Sequence, residues 1–203
     1  MTQFYLGLDL GKRRDHSALA VVERVQAYSP YSGARLSSID LRFLERIPLG
    51  TPYPVLVNAI RNVVQSDLLR GRCALAVDAT GIGGPVVDML RHAQLGCELS
   101  AVTITGGEHQ SGNGYEYSVP KQDLIAGVQV LLELGQLRFA RRLPEAASLV
   151  RELVDVRMTN TTPGRVRIGA DGCGQHDDLV MALSLACWRA GCRENSFGTH
   201  RIV

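Results

Sequence analysis

Four aspartates stand where carboxylate chemistry could be assembled. Asp9 lies near the end of a short apolar run, Phe4 to Leu10, and Asp78 follows a second, Cys73 to Val77. Asp177 and Asp178 sit side by side in Gln175-His176-Asp177-Asp178-Leu179, at the head of a long apolar segment. Hard divalent cations such as Mg²⁺ and Mn²⁺ take oxygen ligands, so separated aspartates that converge in space suit them better than His/Cys clusters do. Two such ions held about 4 Å apart can activate a water and stabilise the leaving oxygen of a phosphodiester. Nothing else in the chain competes as chemistry.

Each aspartate also has a plain explanation. Asp9 could belong to a salt bridge or a turn cap, Asp78 could open the Ala79-Thr80-Gly81 turn, and Asp177 and Asp178 could be first-turn residues favoured by a helix dipole. A carboxylate buried in a strand without a partner costs several kcal/mol. An aspartate inside an apolar strand therefore needs a reason, and the joint pattern supplies one.

With 203 residues and 45% hydrophobic composition the chain can bury one sizeable core, which predicts a single domain over 1–203 with a C-terminal tail from about 192. A disordered or fibrous chain is excluded. The formal charge of +2 is too small to diagnose a nucleic-acid partner, so any such surface must come from local clustering. Five cysteines, Cys73, Cys97, Cys173, Cys187 and Cys192, form no CxxC pair and read as buried thiols in a reducing compartment. Cys173 and His176 lack a second pair to complete a zinc site. No N-terminal signal pattern and no apolar run of about 20 residues is present, so the sequence reads as soluble and cytoplasmic, without a membrane.

Elements that must position the aspartates follow from periodicity. Phe4 to Leu10, Ser17 to Val25 and Leu36 to Ile47 predict three strands in an antiparallel meander. Pro54 opens a helix on Val57, Ile60, Val64 and Leu68, ended by Gly71. Cys73 to Val77, a helix from Gly83 to about Gln94, and Leu99 to Ile104 predict a parallel βαβ unit. Thr105 to Tyr117 reads as a mobile or ligand-ordered loop, and Pro120 opens a helix to Leu134. A short strand at Leu137 to Ala140, a helix from Pro144 to about Leu153, a β-hairpin of Val154 to Asn160 with Arg165 to Ile168, and a last helix from Asp177 to about Ala190 complete the chain.

Gly7-Leu8-Asp9-Leu10-Gly11, with Asp15-His16-Ser17-Ala18 soon after, resembles the first-strand motif of phage terminase large-subunit nuclease domains. The run from Val77 to Asp88 is similar to their second acidic motif and the helix after it. Val119-Pro120-Lys121-Gln122-Asp123-Leu124 and His176-Asp177-Asp178-Leu179-Val180-Met181-Ala182-Leu183 match two further segments in the family's order, so the resemblance spans about residues 4 to 190. It implies an α/β fold of the ribonuclease H-like class: a mixed sheet made of the meander plus parallel strands, flanked by helices, with an extra β-hairpin before the C-terminal helix. It also implies that Asp9, Asp78 and one or both of Asp177 and Asp178 hold two Mg²⁺ or Mn²⁺ ions and cut double-stranded DNA during viral genome packaging. The partners implied are an ATPase motor domain, the small terminase subunit and the portal, and the place is the cytoplasm of a bacterial host.

The motor itself is not legible. Gly7 to Lys12 reads GxxxGK, one residue short of a phosphate loop and followed by Arg13 where Ser or Thr should bind Mg²⁺. The chain is thus expected to be either an excised nuclease domain or a free-standing relative. Lys12, Arg13 and Arg14 just past the first strand, Lys121, and Arg157 and Arg165 on the hairpin are candidate phosphate contacts; Arg138, Arg141 and Arg142 would extend that strip. A solvated charged face is the ordinary alternative for each. Asp15 and His176 are candidates to orient a ligand or water. Competing readings are a Holliday-junction resolvase-like nuclease, an actin or sugar-kinase-like nucleotide-binding module, for which the chain is short, and an inactive docking domain, which a lost carboxylate would betray.

Overall fold

The computed structural model describes residues 3–11, 15–28, 35–81, 83–162, 165–170 and 177–192, with side chains left aside at 27, 35–36, 157–162 and 165–170. Eight strands form one sheet in the order β6-β7-β5-β4-β1-β2-β3-β8. These are β1 (Phe4–Asp9), β2 (Ser17–Tyr28), β3 (Arg35–Ile47), β4 (Cys73–Asp78), β5 (Glu98–Thr105), β6 (Ser111–Gly112), β7 (Glu116–Pro120) and β8 (Leu137–Phe139). β1, β2 and β3 pair antiparallel, as the meander predicts, while β4 joins β1 and β5 in parallel. The expected hairpin is a separate two-stranded sheet, β9 (Val156–Thr162) with β10 (Arg165–Ala170).

Five helices cover the main sheet: α1 (Tyr53–Val64), α2 (Gly83–His92), α3 (Lys121–Glu133), α4 (Ala146–Asp155) and α5 (Asp178–Gly191). The pleat sends alternate side chains to opposite faces. Leu6, Leu8, Leu19, Val21, Leu75 and Val77 pack with Leu56 and Ile60 of α1 and Val86 and Leu90 of α2. On the other face Tyr5, Ala18, Ala20 and Ala74 meet Leu149 of α4 and Leu179, Leu183 and Ala186 of α5, and Ala76 meets Met181 and Leu185. Residues 179–187 of α5 are all buried because the sheet lies beneath this helix and α3 and α4 flank it, which is why its sequence is apolar all round.

Two expectations need correction. α1 stops at Val64, and Leu68, expected on its apolar face, lies 55% exposed in the turns that follow. The Thr105 to Tyr117 stretch is no plain loop: β6 and β7 extend the sheet edge beyond β5. The Asn113 side chain accepts the N–H groups of Tyr115 and Glu116, and Gly114 adopts φ +96°, so polar turn chemistry closes a hairpin that composition alone reads as loop.

Candidate metal centre

Asp9 ends β1 and Asp78 ends β4, neighbouring parallel strands whose register pairs Leu8 with Val77 just before them. Both fall on the pleat parity of Gly7 and Ala76, the α5 face. Bringing α5 to these strand ends depends on a close approach. A Cβ on Gly7 would stand 2.0 Å from the Ala182 carbonyl oxygen and 2.5 Å from the Ala186 nitrogen, so only glycine lets α5 lie against β1. Gly7 is therefore a packing residue inside a strand, and the near phosphate-loop spacing from Gly7 to Lys12 carries no phosphate cradle at its first glycine. Gly83 does the same for α2, since its Cβ would lie 2.4 Å from the Asp78 carbonyl oxygen.

With α5 seated, its N-terminus delivers Asp177 and Asp178 to Asp9 and Asp78. Burial first, and then the negative charges of Asp78, Asp178 and Asp177, hold the Asp9 carboxyl well above the usual carboxylate range, with Lys121 pulling it back. Four carboxylates and one ammonium group thus share one field. Asp78 Oδ1 also accepts the Thr80 N–H at 2.8 Å, so this residue does cap the turn that follows it while standing in the acidic cluster. Lys121, at the start of α3, donates from Nζ to Asp177 Oδ2 at 2.6 Å. That bond brings α3 into the cluster.

Asp178 is 5% exposed and faces the Arg46 Nε at 3.7 Å. Arg46 belongs to the same row of the sheet as Asp9, because Asp9 pairs with Ala18 and Ala18 with Arg46. The Arg46 guanidinium also donates to Glu152 of α4. Glu152 Oε2 in turn accepts the N–H groups of Leu179 and Val180 at 3.0 and 3.2 Å, and burial first pushes the Glu152 carboxyl up to about 7. Neither Arg46 nor Glu152 was among the sequence candidates. A signal existed: Glu152 shares the buried stripe of Ala146 and Leu149, and a carboxylate on that stripe must have partners.

Among the described residues, no three His, Cys, Asp or Glu side chains stand close enough to hold a cation as they are. The donor chemistry nonetheless fits a hard divalent ion: the groups are all carboxylates, and their mutual repulsion is what a bound cation would relieve. Asp15 is exposed and is not among the charges acting on Asp9. Lys12, Arg13, Arg14, His176 and Cys173 lie outside the described residues, as do the side chains of Arg157 and Arg165. Arg138 is spent on Asp40 at 2.8 Å, away from the cluster. No helix among the described residues is long and apolar enough to cross a membrane.

No family model and no curated protein matches the sequence. Solved structures do. The large-terminase nuclease of thermophilic phage G20c, with bound cobalt, superposes with a TM-score of 0.61 at 23% identity, over 92% of this chain and 81% of that one. The chain has the ribonuclease H-like fold of the phage large-terminase nuclease domain. A mutant nuclease domain of the terminase subunit gp2 of bacterial virus Sf6, with manganese and β-thujaplicinol, gives 0.63 at 12% identity over 91% of this chain and 87% of that one. Against the large terminase of bacteriophage HK97 the values are 0.54 and 15%, with 92% of this chain covering 39% of that one. The mixed sheet with its flanking helices is the architecture that the resemblance implies.

Proposed function

We propose that this protein is a metal-dependent endonuclease acting on double-stranded DNA in viral genome packaging. One observation carries the reading: Asp9, Asp78, Asp177 and Asp178, from three separate elements, converge on one end of the β1–β4 pair, where burial first and then the other three charges hold the Asp9 carboxyl above its ordinary range. Those four side chains would hold two Mg²⁺ or Mn²⁺ ions, which when bound supply an activated water and stabilise the leaving oxygen. Structures of similar fold contain cobalt and manganese, which supports a divalent ion in the same fold.

Other residues of the chain have roles that need no ion in place. The Lys121 side chain, one-third exposed beside Asp177, can turn its ammonium group to a phosphate oxygen as DNA enters, contributing a salt-sensitive contact. Lys12, Arg13 and Arg14 follow β1 in sequence just beyond Asp9 and would add to that contact; Arg157 and Arg165 on the hairpin strands would extend it. No base-reading element is recognisable, so cleavage should show little sequence preference. An ATPase motor, a small terminase subunit and a portal would be the partners, and isolated activity should be weak without a motor to hold the DNA.

Incubation with supercoiled plasmid in Mn²⁺, Mg²⁺ or EDTA tests the reading. Nicking and linearisation with either ion, abolished by EDTA and by Asp9→Asn, with ends that a ligase can rejoin, is the expected result. Cleavage that survives EDTA or Asp9→Asn would overturn it.

A further inference from the structure

α5 carries two of the four carboxylates, yet it has no side-chain cap of its own: Asp177, at its N-cap position, makes none. The cap comes from another helix. Glu152 Oε2, on α4, accepts the Leu179 and Val180 N–H groups, the two that follow Asp178. Its second oxygen, Oε1, takes the Arg46 guanidinium. The contact of that guanidinium with Asp178 Oδ2, at 3.7 Å, is longer than a hydrogen bond. Arg46 thus stands between two buried carboxylates, 5% and 7% exposed, hydrogen-bonded to the one outside the metal cluster and ion-paired at longer range with Asp178.

We propose that Glu152 is a positioning residue: its buried carboxylate is a latch that holds the N-terminus of α5 in place and draws the Arg46 guanidinium away from Asp178, so that a divalent cation can compete for that carboxylate. The proposal rests on the metal-centre reading above. Its physical basis is competition: a guanidinium and a divalent cation seek the same carboxylate oxygens, and Arg46 reaches this one because Ala18, between Asp9 and Arg46 in the sheet row, has only a methyl group to stand in its way. Residues that orient ligands from behind typically change metal affinity by about ten- to a hundredfold when replaced.

Mn²⁺ binding to the full chain, measured by titration calorimetry without DNA and in buffer alkaline enough to keep the carboxylates ionised, separates the latch from a plain helix cap. Glu152→Gln keeps an acceptor for both amides but loses the charge that engages Arg46, so its Mn²⁺ affinity should fall about tenfold or more. Adding Arg46→Met to that variant removes the competitor and should restore affinity to within roughly threefold of wild type. A plain cap predicts no such rescue. Wild-type affinity in Glu152→Gln, or no recovery in the double variant, overturns the proposal. Should Glu152→Gln not fold, Arg46→Met and the double variant decide: both must bind Mn²⁺ within roughly threefold of wild type, and weaker binding by either overturns it. Asp9→Asn, titrated beside them, keeps the two failures apart. If Asp9→Asn binds Mn²⁺ like wild type, the metal-centre reading falls; if it loses binding while Glu152→Gln does not, only the latch falls.

Discussion

Facing α1 and α2, the central strands present Leu6, Leu8, Leu19, Leu75 and Val77; facing α5, the same strands present Gly7, Ala18, Ala20, Ala74 and Ala76, with Tyr5 and Val22 as the larger exceptions. The first face is stabilised by volume. Large side chains interdigitate, and each fully buried leucine contributes about 1.5–3 kcal/mol. The second face gives up that volume for proximity, so that an apolar helix lies almost on the strand backbone and its N-terminus arrives over the ends of β1 and β4. What differs is tolerance: the first face can lose a methylene and settle, whereas on the second a single added carbon at Gly7 meets backbone that cannot move without taking Asp177 and Asp178 with it.

Substitutions on the two faces should separate accordingly. Gly7→Val should have the largest effect, destabilising by more than about 4 kcal/mol or preventing folding, because its Cβ meets the Ala182 carbonyl oxygen at 2.0 Å. Wild-type stability in urea would break the comparison. Leu75→Ala, fully buried on the α1/α2 face, should cost about 2–5 kcal/mol and leave the remaining folded protein able to bind Mn²⁺. Loss of Mn²⁺ binding in that variant would mean that the two faces are not separable.

Stability should also fall with rising pH, opposite to the usual carboxylate trend. Asp9 and Glu152 both hold protons more tightly folded than unfolded, so the folded state binds more protons between the ordinary carboxylate range and the raised values. Stability is then lost as pH rises through that window, with the contribution of Glu152 lost as pH passes about 7. Thermal midpoints of the metal-free protein across this range should show the decline, Asp9→Asn should flatten part of it, and saturating Mn²⁺ should suppress the Asp9 part. A midpoint that rises with pH through the window would contradict the crowding of carboxylates on the α5 face. The smallest effect belongs to Lys121→Met. With both partners of the Lys121–Asp177 pair part-exposed, removing it should cost no more than about 1 kcal/mol in urea, yet weaken DNA binding at low salt. A larger stability loss would make Lys121 a structural strut.

Much of this was legible in residue order, because the periods of two and of 3.6 are local properties. Cys73 to Val77 reads as a buried strand because both of its faces are covered, and the apolar run after Asp178 reads as a helix buried on all sides for the same reason. The hairpin closed by Asn113 and Gly114 is hidden in residue order because β6 is only two exposed residues and the apolar alternation of β7, Tyr117 and Val119, is too short to stand out from the polar stretch before it. Leu68 was misplaced because a continuing apolar spacing does not reveal where a helix loses its sheet support.

Residue order alone is enough for the strand ends that carry Asp9 and Asp78, the helix that carries Asp178, and the oxygen-only chemistry their side chains allow. Which of those carboxylates share a field, and which cations they meet, was decided by the tertiary structure. Asp9 and Asp78 become neighbours only through the parallel pairing of β1 with β4. Arg46 reaches Asp178 and Glu152 from 132 and 106 positions away, through two antiparallel pairings and the seating of α4 and α5 on one face. Local propensity sets the direction of each side chain relative to its own backbone, while the distances between charges on separate elements depend on how closely those elements pack, and here that closeness rests on a glycine and a row of alanines.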